Sequence, residues 1–125
     1  FDCLNALGFR TCELAYTKCE KWLGELILLI EHNKNVLTEF MTGHLPKVKV
    51  YPLEGTYLVW MDFRALGMSA GELETFMIEK AQVFFDEGYI FGKAGAGFER
   101  MNIACPTQVM LDGLKRIVIA LYAGR

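Results

Sequence analysis

The sequence lacks any concentration of positive charge. Its 13 Lys and Arg residues are scattered along 125 residues and, with 15 Asp and Glu, give a formal net charge of -2. Domains that bind nucleic acids normally carry a clustered basic face, so the charge pattern argues against a nucleic-acid partner. A chain of this length has room for one domain.

Long hydrophobic runs are also missing. The longest extends from Leu26 to Ile30, with Glu25 and Glu31 at its ends, whereas a membrane-spanning helix needs about 20 apolar residues. No basic segment precedes this run and no small-residue cleavage site follows it, so it does not resemble a secretory signal. We therefore expect no membrane partner. The chain starts at Phe1 rather than Met, which we interpret as a processed chain or a piece of a longer one.

Cysteine is sparse, and its spacing forms no metal or disulfide pattern. The four cysteines make no C-x-x-C pair, and none lies near a His at the spacing of zinc ligands. The density is also too low for a disulfide scaffold. We expect reduced, mostly buried thiols in a cytoplasmic protein. The residues are Cys3, Cys12, Cys19 and Cys105.

Apolar residues, by contrast, are abundant and make up 53% of the chain. Because a domain of this size exposes much of its surface, two interpretations remain open. Either the core is well filled, or some apolar surface is buried against a component outside this sequence. Residues 26–30 would be apolar on every side of a helix, which is typical of a segment buried all round. This favours contact with a second domain or subunit.

Helical periodicity dominates the first third of the chain. Apolar residues recur at three- and four-residue spacing from about 9 to 42, which predicts a long helix in one or two segments. Gly43 and Pro46 are placed to end it. Gly24 and residues 33–35 are the points where a kink is expected.

Strand and cap signals follow the long helix. Strands are predicted at 48–51, 56–63, 83–85 and 97–106. Further helices are predicted behind a capping box formed by Ser69 and Glu72 and behind Pro106. The last helix would carry Met110, Leu114, Ile117 and Leu121 on its apolar face and end at Gly124. Adjacent strands with separated helices indicate an α+β fold, a small and mainly antiparallel sheet with helices packed on it.

An arginine in the middle of the last strand is the strongest functional signal. Side chains alternate between the two faces of a strand, so Arg100 and Asn102 share one side while Met101 and Ile103 suit the packed side. A guanidinium offers paired donors that match a carboxylate. An exposed surface arginine is the alternative. The glycine-rich loop 91–97 favours a ligand site, because such a loop indicates a mobile or closely approached backbone.

Separated motifs agree with one known family. Residues 54–62 (EGTYLVWMD), Phe91-Gly92 and 97–106 (GFERMNIACP) occur in order, preceded by Asn5 to Gly8 and Trp22-Leu23. Together they resemble the C-terminal small domain of fold-type I pyridoxal-phosphate enzymes. Within the class I/II aminotransferases, the likeness is greatest to the cystathionine β-lyase-like branch. The resemblance implies the small domain of the aspartate-aminotransferase fold.

The resemblance also implies roles for individual residues. Arg100 would bind the α-carboxylate of an amino-acid substrate, with Asn102 and Tyr57 in supporting positions and the loop 91–97 bordering the substrate entrance. Such enzymes use pyridoxal phosphate and are homodimers whose sites lie between domains and subunits.

The family's cofactor machinery has no counterpart in this sequence. Its cofactor-binding lysine follows a serine, and no Ser-Lys pair occurs here; that lysine, the aspartate at the pyridine nitrogen and the phosphate-binding residues belong to the large domain. We therefore expect residues 1–125 to be one small domain of a longer enzyme, with no catalytic residue of its own, no bound cofactor and no activity alone. The alternative is a free-standing α+β binding or interaction module without a cofactor.

Overall fold

The computed structural model describes residues 5–123, which form four α-helices and a four-stranded sheet. The helices are α1 (Ala6–Lys18), α2 (Glu20–His44), α3 (Ala70–Thr75), which continues into a π-helical turn (Phe76–Lys80), and α4 (Thr107–Ala123). The strands are β1 (Lys49–Val50), β2 (Leu58–Asp62), β3 (Asp86–Glu87) and β4 (Phe98–Asn102).

The sheet is antiparallel throughout, with the strand order β1-β2-β4-β3. Val59 and Met61 of β2 and Met101 of β4 face the buried side. Side chains of α2, α3 and α4 join them in a single core that includes Leu37, Met41, Leu73, Met77, Leu114 and Ile117. The predicted α+β architecture is therefore confirmed, and the opposite side of the sheet is left free of helices from this core.

The long helix is divided, but not where the sequence predicted a kink. The break lies at Cys19, whose backbone leaves the helical region with φ -106° and ψ 18°. Gly24 lies inside α2, where a Cβ would meet nothing within 4 Å. One glycine costs a helix only about 1 kcal/mol, so α2 continues through it. Asn33 also lies inside α2 and is fully buried, so it anchors the helix to the core and does not kink it.

The apolar segment 26–30 is not buried all round within residues 5–123. Ile27 and Leu28 are exposed, whereas Ile30 packs against the core. The face that carries Ile27 and Leu28 thus extends away from this domain's core. Its burial against a second domain or subunit stays a prediction.

The strand predicted at 83–85 is wrong. Val83 is buried in the core, Phe84 is 80% exposed, and the pairing with β4 begins only at Asp86. Just before this segment, Gln82 has a φ of +53° and Val83 N–H donates to the Met77 carbonyl oxygen. The apolar triplet therefore belongs to a turn that leads out of the π-helical segment, and the polar residues Asp86 and Glu87 form the strand.

The helix signals of the second half hold. Ser69 and Glu72 form both hydrogen bonds of the capping box. Met110, Leu114 and Ile117 are buried and Leu121 is half-buried, while Gly124 lies outside the described residues.

The cysteine prediction needs correction. Cys12 is exposed and Cys19 and Cys105 are half-buried free thiols, so these three are not mostly buried; Cys3 lies outside the described residues. Between residues 5 and 123, no helix has the length and apolar character required to cross a bilayer.

Candidate functional site: the Arg100 cleft

Arg100 lies in the middle of β4, on the open side of the sheet. Trp60 of β2 is its cross-strand neighbour on one side and Asp86 of β3 on the other. Met101 and Ile103, on the other face, are almost completely buried, which fixes the direction in which Arg100 points. The predicted division of the strand into a packed and an open face is therefore confirmed.

The guanidinium of Arg100 is held on two sides. Its Nε and Nη2 donate to the same oxygen of Asp86, Oδ2, at 3.0 and 2.7 Å. The ring of Phe91 lies under the cation, with its centroid 4.3 Å from Cζ. The Arg100 side chain is 25% exposed, so its charge is partly shielded from solvent.

One edge of the guanidinium remains available. Arginine has five N–H donors in a rigid fork, and Asp86 occupies the edge made by Nε and Nη2. Within residues 5–123, neither of the two Nη1–H groups nor the second Nη2–H has a hydrogen-bond partner. These donors form the end of the fork, which matches the two oxygens of a carboxylate.

Asn102 shares the Arg100 cleft, a cavity of about 540 Å³ that Asp86 also lines. Its Oδ1 accepts a hydrogen bond from the Ala104 backbone N–H at 2.8 Å. The Asn102 side chain thus stabilises the turn that ends the strand, and its amide nitrogen is left for other partners. The structure brings Arg100 and Asn102 together, as predicted.

Tyr57 does not line the Arg100 cleft. It precedes β2, is 43% exposed, and its carbonyl oxygen accepts a hydrogen bond from Ile103 N–H. Tyr57 therefore contacts the chain just after β4 through its backbone. A supporting role for the Tyr57 side chain stays a prediction.

The glycine-rich loop forms two short 3₁₀ turns, Gly88–Phe91 and Lys93–Gly95, which pack against each other. A Cβ on Gly88 would lie 2.2 Å from the Gly95 carbonyl oxygen. The sequence offered two explanations for the glycine cluster, a mobile backbone or a backbone that another segment approaches closely. Close approach of the two backbone segments accounts for Gly88 and Gly95. The packed turns hold Phe91 under Arg100.

An aromatic cleft lies on the other side of Phe91 from the Arg100 guanidinium's ion pair, along β2 and β4. Phe91 packs edge-on against Trp60, with centroids 5.4 Å apart, and Phe98 packs in the same way at 6.3 Å. With Tyr51, Ala94 and Gly95 these rings line a cavity of about 450 Å³. Phe91 lines this cavity and also contacts the Arg100 guanidinium, so a ligand bound at Arg100 would lie near an apolar surface.

The chain is similar to about a third of several longer known proteins. The cystathionine β-lyase PatB of Bacillus subtilis is 42% identical over 118 residues, which cover 94% of this chain and 30% of PatB. MalY of Escherichia coli is 30% identical over 111 residues, 89% of this chain and 28% of MalY. The crystal structure of cystalysin from Treponema denticola, which contains pyridoxal 5'-phosphate, superposes with a TM-score of 0.94 at 46% identity, over 97% of this chain and 31% of cystalysin. No family model matches.

The chain is homologous to the C-terminal small domain of pyridoxal-phosphate-dependent C–S lyases and aminotransferases. This confirms the fold expected from the resemblance, the small domain of the aspartate-aminotransferase fold. The chain spans about 30% of the length of the curated relatives it matches.

The residues around Arg100 do not fit pyridoxal phosphate. Among residues 5–123, the lining of this cleft includes no lysine that could bind the cofactor covalently and no Ser or Thr hydroxyl for its phosphate. Within the same range its cationic groups are Arg100 and Arg116, and Arg100 is paired with Asp86. The cleft around Arg100 is therefore not a binding site for pyridoxal phosphate.

Sequence reasoning missed Asp86 as part of the site, and it placed Phe91 in the loop at the substrate entrance without its contact to Arg100. Both lie 9 to 14 positions before Arg100, and only the strand register and the two 3₁₀ turns bring them to the guanidinium. The predicted strand 83–85 ended one residue before Asp86. The one available signal was an acidic residue close to a glycine-rich loop before the arginine strand.

A buried carboxyl lies behind the site. Glu99 is 2% exposed and occupies the packed side of β4, opposite Met61 and Glu87. Burial, and to a smaller extent the nearby carboxylates of Glu87, Glu74 and Asp86, together raise the pKa of Glu99 to about 8. Glu99 is therefore mostly protonated at neutral pH in the folded domain.

Glu99 should make the stability of the domain depend on pH. In the unfolded chain its carboxyl titrates near its ordinary pKa of 4.5, against about 8 when folded. Between these values the unfolded state has released a proton that the folded state retains, so the free energy of unfolding falls as pH rises, by up to about 1.4 kcal/mol per unit. Glu99→Gln should remove this slope and be more stable than the wild type at pH 8.

Urea unfolding at several pH values between 4.5 and 8.5 measures the difference. The exposed Glu54→Gln is the matched control and should keep the wild-type slope. A Glu99→Gln protein whose unfolding free energy parallels that of the wild type at every pH would contradict the assignment.

Proposed function

We propose that this chain is the substrate-carboxylate-binding small domain of a pyridoxal-phosphate-dependent C–S β-lyase or aminotransferase that acts on amino acids. The observation that carries the proposal is the free edge of the Arg100 guanidinium. It lies in a cleft at the edge of β4, which residues 82–86 and part of α4 also line, in a domain that is 42% identical to a cystathionine β-lyase over 94% of this chain.

The geometry suits an α-carboxylate for two reasons. Two parallel N–H···O bonds fix both the position and the orientation of a carboxylate. The partial burial of Arg100 lowers the local dielectric constant, which strengthens the attraction. Arg100 would thus hold the substrate while the reacting groups act at its α- and β-carbons.

The other components of the reaction are proposed to lie outside residues 1–125. Pyridoxal phosphate, when bound, supplies the electron sink for this chemistry, and its ligands would come from a large domain that corresponds to the remaining length of the relatives. We also propose that the enzyme is a homodimer and is located in the cytoplasm. The exposed apolar side chains Ile27 and Leu28 are consistent with a contact to the large domain or to the partner subunit.

The experiment compares the 125-residue chain with the full-length protein that contains it. Each is supplied with pyridoxal phosphate and L-cystathionine, and the release of thiol, pyruvate and ammonia is measured beside amino transfer to a 2-oxo acid. We expect turnover by the full-length protein and none by the chain alone. Turnover by the chain alone, or a full-length protein that performs neither reaction, would contradict the proposal; the second result would favour a free-standing binding module.

A further inference from the structure

We infer that Asp86 is a positioning residue for substrate recognition, which it serves by fixing the direction of the Arg100 guanidinium. This inference rests on the proposed function, because it concerns the carboxylate that Arg100 would bind. Asp86 itself would make no contact with the substrate.

The register of the sheet places Asp86 for this role. Asp86 of β3 is the cross-strand partner of Arg100 of β4, and Glu87 pairs with Glu99 beside it. Side chains opposite each other in an antiparallel pair lie close together on the same face. Asp86 therefore reaches Arg100 from a backbone that is hydrogen-bonded to the same strand.

The hydrogen bonds define the orientation of the guanidinium in its plane. Nε and Nη2 both donate to Oδ2 of Asp86, which directs the opposite end of the fork, Nη1 and the second Nη2–H, away from β3. The ring of Phe91 lies 4.3 Å from Cζ of Arg100 and limits the space in which the guanidinium can move. The two contacts thus leave one edge of Arg100 available to a ligand.

Asp86 also has an effect of the opposite sign. Its negative charge lies next to the cation and repels an incoming carboxylate, so removing the charge alone should strengthen binding. Removing the hydrogen-bond acceptor should weaken binding, because a long arginine side chain then loses its fixed orientation and must be ordered by the ligand. We expect loss of orientation to outweigh loss of repulsion, since the Asp86 side chain is 43% exposed and its charge is screened by solvent.

Two substitutions separate these effects. Asp86→Asn removes the charge and retains an oxygen that can accept from Nε and Nη2, whereas Asp86→Ala removes both. Asp62→Ala is the matched control, because Asp62 lies on the same sheet and forms a comparable ion pair with Arg64 at 2.7 Å. Arg100→Ala tests the underlying function.

The measurement is the dissociation constant of propionate for the full-length holoenzyme, determined by titration calorimetry. Propionate carries a carboxylate but no amino group, so it reports binding without reaction. We expect Asp86→Ala to weaken propionate binding on the order of tenfold. Asp86→Asn should bind propionate as tightly as the wild type or more tightly. The dissociation constant of Asp62→Ala should equal that of the wild type. In steady-state assays Asp86→Ala should raise KM for L-cystathionine more than it lowers kcat.

The outcomes distinguish the two claims. If Arg100→Ala abolishes propionate binding while Asp86→Ala binds as tightly as Asp86→Asn, the positioning role of Asp86 is wrong and the role of Arg100 stands. If Arg100→Ala binds propionate like the wild type, the proposed function is wrong and the inference about Asp86 fails with it. A tenfold loss in Asp62→Ala as well would mark the effect as structural and overturn the role of Asp86.

Discussion

Replacing Arg100 by alanine in the full-length enzyme should lower kcat/KM for an amino-acid substrate. The decrease should correspond to a loss of about 2–5 kcal/mol in transition-state stabilisation. The guanidinium is partly buried and presents a free pair of donors. Under the proposed function, its loss removes the paired donors for the substrate carboxylate. The other arginine of the cleft, Arg116, donates instead to the backbone carbonyl oxygens of Asp112 and Gln82. The measurement is steady-state kinetics with the amino acid and with the amine that lacks its carboxylate. The substitution should change kcat/KM for the amine much less than kcat/KM for the amino acid.

Two variants control the Arg100 experiment. Arg100→Lys keeps the positive charge but loses the fork, so it should recover only part of the activity. Arg64→Ala removes an arginine that lies over Phe98 with its side chain 58% exposed, and it should change the kinetics little. Equal kinetics for Arg100→Ala and the wild type would show that the carboxylate is bound elsewhere.

Replacing Asn33 by alanine should destabilise the domain by about 2–5 kcal/mol. Asn33 is fully buried in α2. Its Nδ2 donates to the carbonyl oxygens of Ile103 and Cys105, both at 2.8 Å, and its Oδ1 accepts from the Thr107 hydroxyl at 2.7 Å. Alanine would leave buried carbonyl groups without donors, which costs much more than a net hydrogen bond contributes.

The Asn33 contacts also matter for the site, because they fix the segment between Arg100 and the first turn of α4. The measurement is the free energy of unfolding in urea. Asn33→Asp should be at least as destabilising, since an ionised carboxylate cannot donate to the two carbonyl oxygens. The exposed Asn35→Ala should change stability by no more than about 0.5 kcal/mol. An Asn33→Ala protein as stable as Asn35→Ala would refute this account of the buried amide.

Local patterns in the sequence predicted much of the fold. Strand alternation assigned Arg100 to the open face and Met101 to the core, and the Ser69 capping box located the start of α3. These features depend on neighbouring residues, so a single sequence contains them. The resemblance to pyridoxal-phosphate enzymes added the architecture, because several separated motifs occurred in the correct order.

Contacts between residues far apart in the sequence could not be predicted from local patterns. The pairing of Asp86 with Arg100 depends on the register of β3, a strand of two polar residues without an apolar alternation to reveal it. Asn33 lies 70 positions from Ile103, so a residue that anchors α2 was interpreted as a weak point. The high pKa of Glu99 likewise follows from burial and from three carboxylates that the fold brings close.

The most direct test of the central claim is a crystal structure of the full-length enzyme with an unreactive carboxylate analogue of its amino-acid substrate. We expect the analogue's carboxylate oxygens to lie within hydrogen-bond distance of Nη1 and Nη2 of Arg100, while Asp86 Oδ2 still accepts from Nε. A carboxylate bound by other residues, with no contact to the Arg100 guanidinium, would contradict the central claim.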